Sequence, residues 1–292
     1  MPKIERKLLE FLEKHMLLLS ALIFSLLALY LRKTGVWWRY ENIDAYFDLH
    51  ENHTYTSAYY MLIRLIQYLP FLPLYSIKWL AGVSDFGVAG LVVYLLGKET
   101  DGRKKLIFYV VSIFSPVLFL RGIIWAQLDS FAVLLLLAGY ALQSGKKKRG
   151  RFYDCFALIS VIGGVSLCPY LFLIVLFYLW QKNERQQNFW LQTAFVVTGG
   201  LLVQLVSAYL MNEAWTEGLF STVRFLTYHP VSGMKYEDAT EWLINMIILY
   251  SPVASVLTAL AAARHRFSYN WTIVIQIVAT VLYGSVLFTE LP

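Results

Sequence analysis

The run HMLLLSALIFSLLALYL, from His15 to Leu31, contains no Asp, Glu, Lys or Arg. About 20 mainly apolar residues are enough for one helix to cross the hydrocarbon core of a bilayer. Similar runs recur along the 292 residues, of which 58% are hydrophobic and only 15% charged, whereas about a quarter of a soluble domain is charged. The runs do not alternate in polarity as the strands of a membrane β-barrel do. The sequence therefore predicts an all-α, polytopic helical membrane protein.

Outward from this first run, polar turns separate eight further apolar runs, which gives nine predicted spans. Basic turns flank both ends of residues 152–181, so this segment is expected to cross twice. We assign residues 1–292 to a single integral membrane domain, with residues 1–15 as an amphipathic segment on the cytoplasmic surface. The predicted spans cover residues 15–31, 74–96, 106–120, 130–142, 152–167, 170–180, 189–210, 243–263 and 271–288.

The distribution of Lys and Arg predicts the orientation of the chain. The net charge is +6, and 17 of the 25 Lys and Arg residues lie in the N-terminal segment and in four short turns. By the positive-inside rule these segments are cytoplasmic, so the basic charge sets topology and no nucleic-acid partner is expected. Two long outer loops follow, at residues 32–73 and 212–242. We expect a plasma membrane location, or the endoplasmic reticulum in a eukaryote.

Two short helices are predicted within these outer loops, at Ser57–Tyr68 and Leu219–Leu226, and both are expected at the membrane interface. Two ionisable residues fall within the second span. Lys78, near its outer end, is expected to snorkel to the headgroups, whereas Asp85 lies deeper and is expected to face the protein interior. The cysteines Cys155 and Cys168 have no spacing typical of a metal or disulfide site.

The first outer loop concentrates ionisable side chains. If this part of the loop is helical, Asp44 and Asp48 lie one turn apart on one face of the helix. A carboxylate with aromatic neighbours can act there as a general base. The alternative is a solvated acidic loop. His50 and His53 have metal-ligand side chains, but their spacing matches no metal motif, so interfacial hydrogen bonding is the simpler interpretation.

A phosphate-bearing lipid would need outer cations, and Arg64, Arg121 and His229 are candidates. The alternative for each is contact with lipid headgroups. The string from Trp125 to Ser130, WAQLDS, is the most distinctive in the chain. Its structural interpretation is an interfacial Trp followed by Asp129 and Ser130 at the N-terminus of the fourth span.

That string, the pair Gly163-Gly164, a proline at an outer helix break and the acidic segment Ile43–Asp48 resemble the GT-C membrane glycosyltransferases, especially the GPI-anchor mannosyltransferase-related proteins and their bacterial relatives. The resemblance covers a core of residues 15–182, and the helices of 183–292 are variable. Ala126 stands where the family has glycine. Cys168-Pro169-Tyr170 stands where the family has a Lys-Pro-Gln-like motif, so a cation is missing there.

The resemblance implies sugar transfer from a polyprenyl-phosphate donor to a hydroxyl of a glycan or glycolipid acceptor, with inversion, on the outer or lumenal face. It implies Asp44 as the general base, with Asp48 as second choice. Arg64, Arg121 or His229, or a divalent metal ion, would stabilise the leaving phosphate, and no other cofactor is expected. Trp125, Gln127 and Asp129 would orient the sugar.

Two other functions remain open from the sequence. A polytopic transporter or lipid flippase would use polar residues inside the membrane, and Asp85, Gln204 and the prolines Pro116 and Pro252 are compatible with one. A non-catalytic accessory subunit of a glycan assembly complex would explain the missing cation at Cys168.

Overall fold

The computed structural model describes residues 3–35, 55–70, 73–97, 100–115, 122, 127–144, 151–182, 186–228, 268, 270–275, 277–278 and 281. All regular structure within these ranges is helical. Three of the helices contain segments long and apolar enough to cross a bilayer, namely His15–Lys33, Pro73–Leu95 and Phe189–Leu210. The chain is therefore a helical membrane protein.

A 3-10 turn at Pro169–Leu171 joins two of the helices, which places the predicted break at Cys168-Pro169. Residues 270–275 are also helical. In chain order the main helices are α1 (Lys3–Gly35), α2 (Ser57–Gln67), α3 (Pro73–Leu95), α4 (Gly102–Ile113), α5 (Asp129–Ser144), α6 (Arg151–Leu167), α7 (Phe172–Lys182), α8 (Gln186–Leu210) and α9 (Trp215–Tyr228).

Seven of the nine predicted spans fall on described helices. α1 differs from the prediction because it is one continuous helix from Lys3, so the N-terminal segment is not a separate surface helix. α4 starts earlier than predicted and ends at Ile113, which gives 12 residues and a length of about 18 Å. Residues 116–121, 243–263 and most of 271–288 lie outside the described residues.

The pair α5 and α6 forms the centre of the bundle, with α3 packed against α5 and α8 against α6. Glycines allow the central pair to approach closely. A Cβ atom on Gly139 would lie 2.7 Å from the carbonyl oxygen of Ala157, and one on Gly164 would lie 2.7 Å from that of Ala132. Small residues at such crossings are typical of membrane helices, which associate through packing.

A sharp reversal after α8 brings α9 back onto the bundle. Asn212 adopts a φ of 59°, and the N–H groups of Asn212 and Glu213 donate to the carbonyls of Tyr209 and Ala208 at 3.0 and 2.9 Å. This is the hydrogen-bond pattern of a Schellman motif, in which the left-handed residue ends the helix. The result is that Phe225 of α9 is fully buried.

The structure corrects the prediction for α2. Its bounds are as expected, but Tyr55 to Tyr59 are all buried, because the N-terminus of α2 is inserted among α6, α8 and α9. Only its later turns, including Arg64, Leu65 and Gln67, are exposed. The helix is therefore part of the bundle core at one end, which we call the Asp129 end because α5 begins there.

Candidate functional site

The N-terminus of α2 is fixed by buried polar side chains. Thr56 is the N-cap, and its hydroxyl oxygen accepts the N–H of Tyr59 at 3.3 Å while donating to the carbonyl of Ser166 at 2.8 Å. A Thr N-cap satisfies one of the amide groups that a helix start leaves without a partner. The cap therefore also ties α2 to the end of α6.

Two further side chains complete this arrangement. The Gln204 side chain accepts the N–H of Ala58 at 2.9 Å and donates to Ser166 at 2.6 Å. The hydroxyl of Ser221 accepts the N–H of Ser57 at 3.1 Å. We call Thr56, Ser57, Ser166, Gln204 and Ser221 the polar anchor. Because its side chains occupy the first amides of α2, this helix start holds the chain in place instead of presenting those amides to an anion.

Aromatic side chains pack beside the polar anchor. Tyr55 stacks on Tyr59 with ring centroids 4.2 Å apart, and Tyr170 stacks on Phe225 at 5.8 Å. The phenol oxygen of Tyr59 accepts the N–H of Leu128 at 3.3 Å. Tyr59, which follows the acidic part of the first outer loop, is therefore in direct contact with the WAQLDS string.

Asp129 lies at the meeting point of two sequence motifs. It begins α5, as predicted, and is only 6% exposed. The thiol of Cys168 donates to its Oδ1 atom at 3.5 Å, so the WAQLDS string and the Cys-Pro break are adjacent. The Oε1 atom of nearby Gln127 is buried without a hydrogen-bond partner among the described residues. We call Tyr59, Gln127, Asp129 and Cys168 the Asp129 cluster.

The structure brings together only some of the predicted site residues. Gln127 and Asp129 lie in the cluster. Arg64 is exposed on the later part of α2, two turns beyond the buried N-terminus, so it is not part of the cluster. The remaining candidates fall outside the described residues: Asp44, Asp48, Arg121, Trp125 and His229.

A second polar site lies inside the bundle, and the sequence predicted only one of its two residues. Asp85 faces the interior, as expected, and forms an ion pair with Arg32, whose Nη2 atom is 2.9 Å from Oδ2 of Asp85. Nε of Arg32 donates to the same oxygen at 3.0 Å. The exposed fractions of the two side chains are 2% and 0%. Asp85 lies 12 residues into the 23 residues of α3, about the middle of a spanning helix.

Arg32 also binds the end of α4. Its Nη2 atom donates to the carbonyl of Ile113 at 2.8 Å, and its guanidinium lies over the ring of Phe86 at 5.1 Å. The carbonyls at a helix end need partners, above all away from water, and Arg32 supplies one where α4 stops. A Cβ atom on Gly122 would lie 3.3 Å from the Cβ of Ala81 and 3.7 Å from each oxygen of Asp85, so the chain at Gly122 passes close to the pair.

The buried charges show where sequence interpretation was insufficient. Arg32 was not singled out, because an Arg at the end of a span ordinarily snorkels. The sequence feature that indicated a buried cation was Asp85, since an acid at membrane depth requires a partner. The prediction that Lys78 snorkels is wrong, because its side chain is fully buried inside the bundle.

Within the part of the chain that the structure describes, no three His, Cys, Asp or Glu side chains come together as metal ligands. His50 and His53 lie outside that part. A scan against protein-family models gave no match, and searches of curated proteins and of solved structures gave none either. What the Asp129 cluster brings together chemically is a buried carboxylate, a thiol and a phenol, with the buried amide oxygen of Gln127 two residues before Asp129 in the chain.

Proposed function

We propose that this chain is a multi-pass membrane glycosyltransferase with nine spans and a cytoplasmic N-terminus, in the plasma membrane or, in a eukaryote, the endoplasmic reticulum. It transfers a sugar, with mannose the first candidate, from a polyprenyl-phosphate donor to a hydroxyl of a glycan or glycolipid acceptor. The reaction takes place at the outer or lumenal face and inverts the anomeric centre. Asp44 is the general base, with Asp48 as second choice.

One observation supports this proposal above the others. The buried segment Tyr55–Tyr59 lies within the first outer loop, after its acidic part, and it contacts Leu128 of the WAQLDS string. Asp129 of the same string touches Cys168 at the helix break. Two of the sequence features behind the resemblance to GT-C enzymes, the string and the break, thus meet at one end of the bundle beside a part of the first loop.

The proposed reaction needs a base, a leaving-group site and a sugar site. Asp44 accepts the proton of the acceptor hydroxyl as that oxygen attacks the anomeric carbon. The bond from this carbon to the phosphate oxygen breaks, and the lipid phosphate leaves with the bonding electrons. Cations from the set Arg64, Arg121 and His229, or a divalent metal ion, stabilise the phosphate. Trp125, Gln127 and Asp129 hold the sugar.

Cys168 bears on the choice of cation. The position that would carry a lysine in the resembling family carries a thiol, which hydrogen-bonds to Asp129. A lysine there would place a cation beside the same carboxylate, and this chain has none at that position. The phosphate is then stabilised by Arg121 or His229.

The test is sugar transfer in membrane vesicles supplied with a panel of polyprenyl-phosphate sugars. We expect Asp44→Asn to lose about 100-fold to 10,000-fold of the rate, the usual contribution of a general base, at equal expression. Glu41→Gln, a carboxylate substitution in the same loop, serves as the control and keeps the rate. Activity in Asp44→Asn and loss in Asp48→Asn would assign the base to Asp48.

A transporter is the second candidate, because Arg32, Lys78 and Asp85 are buried charged side chains in segments that cross the membrane. Gln204 no longer supports the transporter, since the oxygen and the nitrogen of its side-chain amide both bind backbone groups at the polar anchor. Solute uptake by proteoliposomes, with no sugar transfer from any donor, would support this candidate. If the folded protein showed no sugar transfer and no solute uptake, that result would point to an accessory subunit.

A further inference from the structure

The reversal after α8 makes α8 and α9 an antiparallel hairpin. A Cβ atom on Gly218 would lie 2.8 Å from the carbonyl oxygen of Gln204 and 3.2 Å from the Cα atom of Leu205. Gly218 comes seven residues after Met211, where the turn begins, and Gln204 comes seven residues before it. Two helices that diverged after their turn could not bring their backbones together so far from it. α9 therefore runs back along α8, as in other αα-hairpins with short loops.

The contact with α8 gives the depth of α9 in the membrane. The apolar segment Phe189–Leu210 is long enough to cross a bilayer, and Gln204 lies six residues before its end, a distance of about 9 Å along the helix. Ser221, one turn beyond Gly218, accepts the N–H of Ser57 at 3.1 Å. α9 thus passes below the end of the spanning segment beside it.

A second helix gives a similar depth for the surface on which α9 packs. The hydroxyl of Ser130, at the start of α5, donates to the carbonyl of Ala81 at 3.2 Å. Ala81 lies eight residues after the start of α3 at Pro73, a distance of about 12 Å. The Asp129 end of the central helices is therefore recessed between the longer helices α3 and α8. Phe225 of α9 enters this recess, since its ring stacks on Tyr170.

The side of α9 that faces away from the bundle is apolar. Trp215, Phe220 and Val223 have exposed fractions of 67%, 59% and 55%. The charged residues of the helix, Glu217 and Arg224, are seven positions apart in the sequence, so both fall on one flank of the helix. The exposed side therefore has an aromatic residue with a polar N–H group at the start of the helix and only apolar groups further along it.

α8 has the same order of exposed side chains over the same depth. Tyr209 is exposed near its end, and Val206 and Leu202 are exposed one and two turns deeper. Tyr and Trp are enriched where headgroups meet the hydrocarbon core, and aliphatic side chains lie below them. The exposed side of α9 thus continues the lipid-facing side of a spanning helix.

We propose that α9 is a re-entrant helix whose exposed side binds lipid acyl chains in the leaflet at the Asp129 end, which is the outer leaflet in the proposed topology. Trp215 lies at the headgroups, and Phe220 and Val223 lie among the acyl chains. The amphipathic sequence pattern also fits a helix that lies flat on the membrane. The contact between Gly218 and Gln204 favours the re-entrant position, because a flat helix would leave α8 at its end.

The experiment measures the depth of nitroxide spin labels on the full-length protein in phosphatidylcholine vesicles. Trp215→Cys, Phe220→Cys and Val223→Cys are labelled one at a time with Cys155→Ser, while the buried Cys168 is kept and the protein without an added cysteine is the blank. Oxygen concentrates in hydrocarbon and a nickel chelate stays in water. We expect nickel to relax the label best at position 215 and oxygen to do so at positions 220 and 223. Position 223 should be deepest, since it is about 12 Å further along the helix than position 215.

Tyr209→Cys and Leu202→Cys on α8 are the matched controls, because both positions are exposed and lie seven residues apart on a spanning helix. They provide the shallow and the deep reference values. The proposal is overturned if all three α9 labels match the shallow reference, as on a flat helix, or if nickel reaches all of them as it does in water. It is also overturned if both reagents are excluded at positions 220 and 223, since a protein partner or a second copy would then cover this side. Sugar transfer enters none of these measurements.

Discussion

At the scale of single residues, Arg32 and Asp85 hold three helices at one point, because Arg32 of α1 binds both Asp85 of α3 and the last carbonyl of α4. α1 also packs against α4, where Ala28 and Phe24 join an apolar cluster with Ala89 and Ile113. A hydrogen bond between Ser25 and Tyr109, at 2.7 Å, is a further polar link. Among the described residues, the ion pair is the contact of α1 that joins α3 and α4 at one point.

We predict that Arg32→Met lowers the free energy of unfolding by about 3–5 kcal/mol, because it leaves the Asp85 carboxylate buried without its cation. Lys33→Met is the matched control. Lys33 is the neighbouring cation but is exposed, so its replacement should change stability by less than about 0.5 kcal/mol. Thermal unfolding of the purified variants in detergent provides the measurement.

A double variant separates the ion pair from general disruption. In Arg32→Met with Asp85→Leu both charges are absent, so much of the lost stability should return, as it does when a buried pair is replaced by apolar groups. Equal losses in Arg32→Met and Lys33→Met would contradict the structure at this point.

The sequence was sufficient to predict that Asp85 is buried but not that Arg32 is its partner. Asp85 was predicted to face the interior because water is absent at that depth. Its partner is 53 residues away, and several cations at span ends fit the sequence pattern equally well. The same reason explains Lys78, since a position near a span end does not reveal whether a neighbouring helix covers the side chain.

At the scale of helices, the contact between α5 and α6 depends on glycines that the sequence did not distinguish from others. A Cβ atom added to Gly164 would lie 2.7 Å from the backbone oxygen of Ala132. A Cβ atom added to Gly90 of α3 would have no other atom within 4 Å. The pair Gly163-Gly164 was noticed only as part of a resemblance. Its physical role is the close approach of the central helices.

We predict opposite effects of Gly164→Ala and Gly90→Ala. The first forces two backbones apart and should cost about 1–3 kcal/mol, as overpacking does. The second adds a methyl group in open space and should be neutral or stabilising, because alanine is the better helix former. Unfolding midpoints of both variants in the same detergent decide this, and a lower midpoint for Gly90→Ala alone would contradict the packing.

α2 shows why helix bounds are easier to predict than helix environment. Pro70 and Pro73 follow it, and proline breaks a helix interior, so the predicted bounds, Ser57–Tyr68, agree closely with the observed Ser57–Gln67. Its amphipathic pattern favoured the membrane interface, because a helix half covered by protein and one half covered by headgroups have the same pattern. The side chains that bury it, Gln204 and Ser221, come from α8 and α9, and no local signal connects them to Thr56.

At the scale of the whole molecule, α5 ends and α6 begins at the end of the central helix pair opposite the Asp129 end, and the sequence between them carries the basic turn at 146–151. The positive-inside rule then predicts which end faces the cytoplasm. Single cysteines can test this in a background that lacks Cys155 and Cys168. Asp101, within the turn at 98–105, and Ala214, after α8, are both exposed and serve as the labelled positions.

In intact cells, a membrane-impermeant maleimide should label Ala214→Cys, because the Asp129 end is expected outside. Asp101→Cys should react only after the membrane is permeabilised. Labelling of Asp101→Cys alone in intact cells would invert the topology, and labelling of both would exclude the proposed arrangement. Labelling of Asp101→Cys alone would also place the Asp129 cluster at the wrong face for an outer sugar donor.

The pairing of Arg32 with Asp85 also has a consequence for biosynthesis. Arg32 is translated 53 residues before Asp85, which at 5–20 residues per second is an interval of roughly 3–10 s. For that time α1 has entered the bilayer or waits at the insertion machinery with its guanidinium unmatched. Newly made chains truncated before α3 should therefore be poorly retained in the membrane and rapidly degraded, whereas chains that extend through α4 should persist.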